Sequence, residues 1–204
     1  MAKEKSEETV SEERRNALKI IAAVSVATCL ASFLNVLRSF GTAQISFPKW
    51  PRVKVANIKD LKVGEPMRFN YPLEETPAII VKLGKPVPGG IGPDKDIVAY
   101  NIICQHLGCI VRFYKEDDPK NIYKGKNVLY CPCHGGWYDA DNLGKVLSGP
   151  PLCELPMVKL ELDEETGDIY AVEMLPPAIF GKGPTPCHSD PRWDLLGGKL
   201  VGEE

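Results

Sequence analysis

The sequence lacks an excess of basic residues. Its 204 residues contain 25 Lys and Arg against 27 Asp and Glu, for a formal net charge of -2. A nucleic-acid-binding protein usually shows a basic excess or a basic stripe, so this balance argues against that class. The chain also lacks internal repeats and low-complexity runs. With 44% hydrophobic and 25% charged residues, it has the composition of a globular protein rather than of a disordered one.

Long hydrophobic runs are scarce, because only residues 20–37 form one, and Arg38 closes it. A helix of about 18 residues is roughly 27 Å long, just enough to cross a hydrocarbon core of about 30 Å. Four polar residues dilute the run: Ser25, Thr28, Ser32 and Asn35. A cleaved signal peptide and a buried soluble helix are the alternatives, but the run exceeds the roughly 7–15 apolar residues of a signal peptide. We therefore predict a transmembrane anchor over 20–38.

The residues around the anchor indicate its orientation. Residues 1–19 are rich in both charges, so we expect them to stay solvated. Arg14-Arg15 resembles a twin-arginine export signal, a route for folded, cofactor-loaded proteins, with Ala17 where the consensus prefers Phe. We predict a cytoplasmic segment 1–19 and a flexible tether over 39–50. The domain then lies on the extracytoplasmic side of the cell membrane, where disulfides persist.

After the tether, short stretches rich in β-branched and aromatic residues alternate with turn residues, and the chain contains 18 Gly and 18 Pro. Residues 157–162 alternate apolar and polar side chains, as a half-buried strand does, and 164–167 read as a hairpin loop. No amphipathic helix of clear length follows the anchor. The sequence predicts an all-β antiparallel fold over 51–174 and a Pro- and Gly-rich irregular tail over 175–204. The predicted strands are 52–58, 67–71, 78–83, 96–103, 110–114, 127–130, 157–162 and 168–173.

Two of the three histidines stand among cysteines. The first loop is Cys104-Gln105-His106-Leu107-Gly108-Cys109, and the second contains Cys131-Pro132-Cys133-His134. Two cysteines and two histidines suit a structural zinc ion. They also suit a [2Fe–2S] cluster with both cysteines on one iron and both histidines on the other. Zinc does not explain why each loop has a further cysteine.

These loops resemble the cluster-binding loops of Rieske iron–sulfur proteins, specifically the subunits of cytochrome bc and related quinol-oxidising complexes. The likeness covers residues 104–155. It implies one [2Fe–2S] cluster and a β-sandwich base with an inserted cluster-binding subdomain at about 103–155. Position by position, the family assigns Cys104 and Cys131 to one iron, His106 and His134 to the other, and a disulfide to Cys109 and Cys133.

The resemblance also implies residues that cover and tune the cluster. They are the proline loop Gly149-Pro150-Pro151, followed by Leu152 where many members have another proline, and Leu107, Gly136 and Tyr138. The Tyr138 hydroxyl is expected to donate to the sulfur of Cys104, with plain core packing as the alternative. Gly136 stands where many high-potential relatives have a serine that donates to a bridging sulfide. Hydrogen bonds to sulfur raise the potential, so we expect a lower midpoint than in a Gly136→Ser variant. Gln105 replaces the usual Thr, and its role stays open.

The implied function is one-electron transfer. Two imidazoles in place of thiolates leave a cluster less negative, and such centres lie at roughly −150 to +300 mV, against about −400 mV for plant-type ferredoxins. Because an imidazole on oxidised iron releases its remaining proton more readily, we expect electron and proton uptake to be coupled at His106 and His134. The implied partners are membrane quinol, a cytochrome b and a cytochrome c-like or other haem or copper acceptor. Alone, the protein would turn over no substrate.

The same motifs suit two other functions. A small Rieske subunit of an arsenite-oxidase-like molybdenum enzyme and a zinc-stabilised binding module are the alternatives. A Rieske oxygenase needs a second iron site with two histidines and a carboxylate. Only His188, which we interpret as a surface residue, remains for such a second iron site, and this excludes the oxygenase class.

Three cysteines lie outside the two Cys-His loops. Cys29 lies in the anchor. Cys153 and Cys187 are expected to pair in an oxidising compartment, with two free buried thiols as the alternative.

Overall fold

A computed structural model describes residues 2–42, 50–175 and 199–202. The chain divides into two units, Met1–Ser46 and Phe47–Glu204. The first unit contains helix α1, Ala2–Thr42, and the second contains the strands. Most of the predicted tether falls on residues 43–49, which lie outside the described part of the chain.

Helix α1 is longer than the predicted anchor. It begins at Ala2, within the segment that we expected only to be solvated, because Glu, Lys, Arg and Ala are good helix formers. Its stretch Arg14–Asn35 is long and apolar enough to cross a membrane, and none of it is buried. The helix therefore has the length and composition of a single membrane span.

The hydroxyl groups that dilute the span are satisfied within the helix. Ser25 Oγ donates to the carbonyl of Ile21 at 2.8 Å, and Ser32 Oγ donates to that of Thr28 at 2.9 Å. Thr28 Oγ1 donates to Val24 in the same way. A hydroxyl that donates to the carbonyl four residues earlier has its hydrogen bond satisfied within the helix. Its transfer into lipid therefore costs little free energy, so these residues are compatible with a membrane-spanning helix.

All ten strands described in the second unit pair antiparallel. They form a six-stranded sheet in the order β1-β10-β9-β4-β3-β2 and a four-stranded sheet in the order β5-β6-β7-β8. The smaller sheet is inserted in the chain between β4 and β9, so the predicted all-β fold with an inserted subdomain is confirmed. The strands are β1 Val53–Asn57, β2 Met67–Asn70, β3 Pro77–Lys82, β4 Ile97–Asn101, β5 Arg112–Tyr114, β6 Val128–Cys131, β7 Gly136–Asp139, β8 Lys145–Ser148, β9 Met157–Leu162 and β10 Asp168–Leu175.

Each of the eight predicted strands has a counterpart, with ends displaced by a few residues, and β9 has the predicted bounds. The predicted hairpin loop at 164–167 is present, since β9 and β10 pair antiparallel on either side of it. The sequence reading missed β7 and β8. Of the predicted tail, Leu200 pairs with Leu73, and residues 176–198 lie outside the described part.

The main core lies between the two sheets. Every residue of β4 is buried, because Val98 and Tyr100 pack toward the smaller sheet while Ile97 and Ala99 belong to a second core on the larger sheet. The Tyr100 hydroxyl donates to the Ala140 carbonyl at 2.9 Å and so ties β4 to the end of β7. Cys104 and Cys131 also belong to the main core, so the first residue of each Cys-His loop is packed in that core.

Candidate metal centre

The two Cys-His loops start from strands of different sheets. The first follows β4, and the second joins β6 to β7. Backbone hydrogen bonds close each loop: Gly108 N donates to Cys104 O at 2.9 Å, and Gly135 N donates to Cys131 O at 3.1 Å. Gly108 and Gly135 have φ angles of 78° and 73°, a left-handed conformation that favours glycine. These glycines let each loop turn back over its own cysteine.

Both predicted sulfur ligands are buried. Cys104 and Cys131 are each only 1% exposed. Burial raises the pKa of the Cys131 thiol, and a hydrogen bond with Cys104 raises it further. Two thiolates this close in an apolar core would repel each other, unless a bound cation neutralises them. The pair therefore suits two sulfur donors to one metal ion.

The two predicted nitrogen ligands lie side by side. The ring centroids of His106 and His134 are 4.8 Å apart, and the rings are nearly perpendicular. His106 is half-buried and His134 is exposed. The Nδ1 atom of His106 is buried and has no hydrogen-bond partner among the described residues. Because a buried ring nitrogen without a partner is costly, this atom fits a metal ligand, and with the two thiols the donor set fits a [2Fe–2S] cluster.

The further cysteines of the two loops are joined. Cys109 and Cys133 form a disulfide with an S–S distance of 2.11 Å and a Cα–Cα distance of 6.5 Å, the pairing that the family resemblance implies. Their sulfurs and that of Cys131 lie within 4.8 Å of one another. Bonded sulfurs offer no thiolate, so these three atoms are not a metal site in their own right. The disulfide instead fixes the distance between the two loops.

The proline loop lies against the second Cys-His loop. A Cβ atom at Gly149, where φ is 95°, would stand 2.5 Å from the Gly135 carbonyl oxygen, so the approach requires glycine. Pro151 is buried, whereas Leu152 is 73% exposed and Leu107, in the first loop, is 65% exposed. The first Cys-His loop and the proline loop each therefore expose an apolar side chain to solvent.

The hydroxyl of Tyr138 contacts two adjacent residues of the first loop, Cys104 and Gln105. Gln105 N donates to this oxygen at 3.0 Å, and Cys104 Sγ lies 3.2 Å from it. Either atom could donate while Cys104 is a thiol, but a metal-bound thiolate can only accept, so the hydroxyl would then donate to the sulfur. Burial, and then the contact with Cys104, raise the pKa of Tyr138, which keeps its hydroxyl a donor at physiological pH.

Two buried amides lie two residues before and two residues after Ile103: Asn101, which the sequence did not indicate, and Gln105, whose role it left open. Asn101 Oδ1 accepts from Ile103 N at 2.8 Å, and Gln105 Nε2 donates to Ile103 O at 2.8 Å. Together they hold both backbone groups of the residue that precedes Cys104. This is the structural role of Gln105, and a single sequence carries no signal for such local side-chain bonds.

Tyr138→Phe is expected to lower both the midpoint potential and the free energy of unfolding. The change removes the donor to the Cys104 sulfur and leaves the Gln105 N–H without its acceptor, at a cost of about 1–3 kcal/mol. Redox titration and urea unfolding measure the two effects. The matched control is Tyr123→Phe, which removes a hydrogen bond to Ser148 (2.6 Å) and should leave the potential unchanged. Equal potentials in the Tyr138 variant and the parent protein would contradict the proposed donor.

The remaining site predictions fall partly outside the described residues. Cys187 and His188 lie there, so the pairing of Cys153 with Cys187 and the surface position of His188 stay predictions.

An antiparallel β domain that presents two thiols and two imidazoles from disulfide-linked loops defines a small iron–sulfur redox protein. In agreement, the family model of the Rieske [2Fe-2S] domain matches residues 51–159. The chain belongs to this family and carries a [2Fe–2S] cluster of the Rieske type.

Three similar proteins illustrate the relationship. The chain is 38% identical to the iodate reductase subunit IdrB of Denitromonas iodatirespirans over 125 residues, 60% of this chain and 62% of that protein. It is 32% identical to the menaquinol:cytochrome c reductase iron-sulfur subunit of Bacillus subtilis over 122 residues, 60% of this chain and 67% of that protein. The solved soluble domain of Rieske protein II (soxF) from Sulfolobus acidocaldarius has a TM-score of 0.59 and 31% identity, covering 74% of this chain and 91% of that one. The match thus leaves more than a third of the first relative's length unmatched.

Proposed function

We propose that the chain is the electron-transfer subunit of a bc-type quinol-oxidising complex. It takes an electron from membrane quinol at a cytochrome b and delivers it to a cytochrome c-like or other haem or copper acceptor. Cys104 and Cys131 hold one iron of the cluster, and His106 and His134 hold the other. When bound, the cluster takes up and releases one electron at a time. The likeness to a menaquinol:cytochrome c reductase subunit supports quinol as the donor.

The exposure of His134 is the observation that carries this proposal. Its ring reaches solvent while both thiols are buried, so the centre opens on its imidazole side. An exposed ring nitrogen can form a hydrogen bond with a quinol hydroxyl and take its proton as the electron leaves. The exposed Leu107 and Leu152 offer apolar surface for docking beside a membrane-embedded quinol site.

The proposal places the domain on the extracytoplasmic side of the membrane. The Cys109–Cys133 disulfide supports an oxidising compartment. Arg14-Arg15 stands at the start of the apolar stretch Arg14–Asn35, where an export signal is read. Helix α1 then serves as an uncleaved anchor.

The pH dependence of the midpoint potential tests proton coupling at the imidazoles. When one proton accompanies one electron, the potential falls by about 59 mV per pH unit. Film voltammetry of the purified full chain should show a constant potential at low pH and a fall toward this slope as the pH rises. A midpoint that stayed flat from about pH 6 to pH 11 would contradict the proposed role of His106 and His134.

A second candidate is the small Rieske subunit of an arsenite-oxidase-like molybdenum enzyme. The likeness to a subunit of iodate reductase favours it, because that relative serves an enzyme that acts on a small inorganic oxo species and not on a quinol–cytochrome pair. The electron-transfer chemistry of this chain would be the same, and only its partners would differ.

Co-purification from mild detergent extracts separates the two candidates. The bc-type proposal predicts a stoichiometric b-type cytochrome and a cluster spin-resonance spectrum that quinone-site inhibitors perturb. A molybdopterin-containing subunit in its place, with a spectrum indifferent to those inhibitors, would favour the second candidate and overturn the first.

A further inference from the structure

Gly136 is buried at the start of β7, directly opposite Cys131 in the β6–β7 ladder. Its φ angle is not in the left-handed region, so the backbone itself would accept any residue. The limit on the residue at position 136 is steric. A Cβ atom at Gly136 would stand 2.8 Å from Pro151 Cγ and 3.1 Å from Pro151 Cδ. Real Cβ atoms essentially never approach another heavy atom below 3.0 Å. A side chain at position 136 therefore requires Pro151 to move.

Pro151 has little freedom to move. Its ring is buried and closed on the backbone, so no rotamer change carries it away from residue 136. Two residues earlier, Gly149 packs on the second loop so closely that its Cβ would lie 2.5 Å from Gly135 O and 2.7 Å from Gly136 Cα. Displacing the ring would therefore disturb this second close contact as well.

The same contact determines which groups surround the sulfur side of the centre. A Cβ atom at Gly136 would lie 3.5 Å from Cys131 Cβ, so any side chain there would stand beside this proposed ligand. In this chain, the Cγ and Cδ atoms of Pro151 lie 2.8 and 3.1 Å from that Cβ position and so crowd it. On the other sulfur, the Tyr138 hydroxyl lies 3.2 Å from Cys104 Sγ. One thiolate thus has a side-chain hydroxyl beside it, and the other has an apolar ring nearby.

We propose that Gly136 and Pro151 form a matched pair, in which the proline ring fills the place of a residue-136 side chain and keeps a hydroxyl donor away from the cluster. The pair holds the potential low, because hydrogen bonds to sulfur stabilise the added electron. A serine at position 136 raises the potential only after Pro151 has been made smaller. This revises the expectation for Gly136→Ser stated from the sequence, because the full rise in potential now requires a smaller residue at position 151 as well. The proposal rests on the proposed ligation by Cys131.

A double-mutant cycle tests the pair. The variants are Gly136→Ser, Pro151→Ala and the double variant, with Gly136→Ala and Gly136→Ala/Pro151→Ala as matched controls that add the Cβ atom without the hydroxyl. In the full-length protein, Gly136→Ser and Gly136→Ala should each lower the urea midpoint of unfolding, and Pro151→Ala should restore most of the loss. Additive effects of the two positions would overturn the matched pair.

The potential gives an independent reading. The Gly136→Ser/Pro151→Ala variant should have a ratio of reduced to oxidised cluster at least tenfold higher than that of the Gly136→Ala/Pro151→Ala control at the same applied potential. This factor corresponds to about 59 mV for a one-electron couple. Pro151→Ala alone should leave the potential near that of the parent protein. Equal potentials in the two double variants, or a full rise in Gly136→Ser alone, would overturn the proposed exclusion of the hydroxyl.

The double-mutant cycle measured by urea unfolding does not require a bound cluster, whereas the measurement of the midpoint potential does. A protein without the spin-resonance signal of a [2Fe–2S] cluster would therefore refute the proposed function while the unfolding cycle still tested the pair.

Discussion

Cys131→Ser is expected to abolish the spin-resonance signal of the reduced cluster and to remove most of the bound iron and acid-labile sulfide. Cys131 is 1% exposed and lies in hydrogen-bond contact with Cys104. An alcohol in this place stays protonated at neutral pH, so it offers a far poorer donor to ferric iron than a thiolate does.

Cys29→Ser is the matched control, because it makes the same chemical change in helix α1, where Cys29 is an exposed free thiol. It should leave the signal and the metal content unchanged. Mass spectrometry of the Cys109–Cys133 disulfide reports whether the Cys131 variant keeps its loops joined. A Cys131→Ser protein with the disulfide intact and an undiminished signal of unchanged shape would refute the assignment of Cys131 as a ligand.

The second large effect concerns the disulfide. The Cys109→Ala/Cys133→Ala double variant is expected to lose about 3 kcal/mol of unfolding free energy, because the bond closes a loop across a sequence separation of 24 residues. The cluster should also become labile to chelators, because in the described part of the chain this disulfide is the cross-link between the two Cys-His loops.

Urea unfolding in detergent measures the loss of stability, and the rate of iron release to a chelator measures the lability. Cys29→Ala serves as the control for removal of a cysteine as such. Unfolding midpoints and iron-release rates equal to those of the parent protein would show that the disulfide does not hold the centre together.

The sequence predicted most of the larger sheet because its strands follow simple patterns. Val158, Leu160 and Leu162 alternate with polar residues, and β9 has the predicted bounds. Strand β7 was missed because Gly136 and Asp139, residues typical of turns, leave only Trp137 and Tyr138 as a strand signal. Strand β8, Lys145–Ser148, likewise has only two apolar residues, between Lys145 and Ser148. Two adjacent strand-forming residues are too few to show a pattern.

At the centre, local spacing indicated the Cys-His pairs and the family resemblance indicated the disulfide. What spacing could not indicate is exposure: His134 reaches solvent, whereas His106 keeps a ring nitrogen buried. The Gly136–Pro151 contact was equally hidden, because it joins residues from separate segments whose approach depends on the folding of the second sheet. The exposure of the two histidines and the Gly136–Pro151 contact both depend on tertiary packing rather than on local sequence propensity.

Pulsed electron paramagnetic resonance of the reduced full chain, labelled with ¹⁵N at histidine only, tests the ligand set most directly. The account predicts strong coupling of the cluster spin to two histidine nitrogens, together with the signal of a [2Fe–2S] centre. A [2Fe–2S] signal that lacks this coupling, or that couples to a single histidine nitrogen, would contradict the assignment of His106 and His134 to one iron.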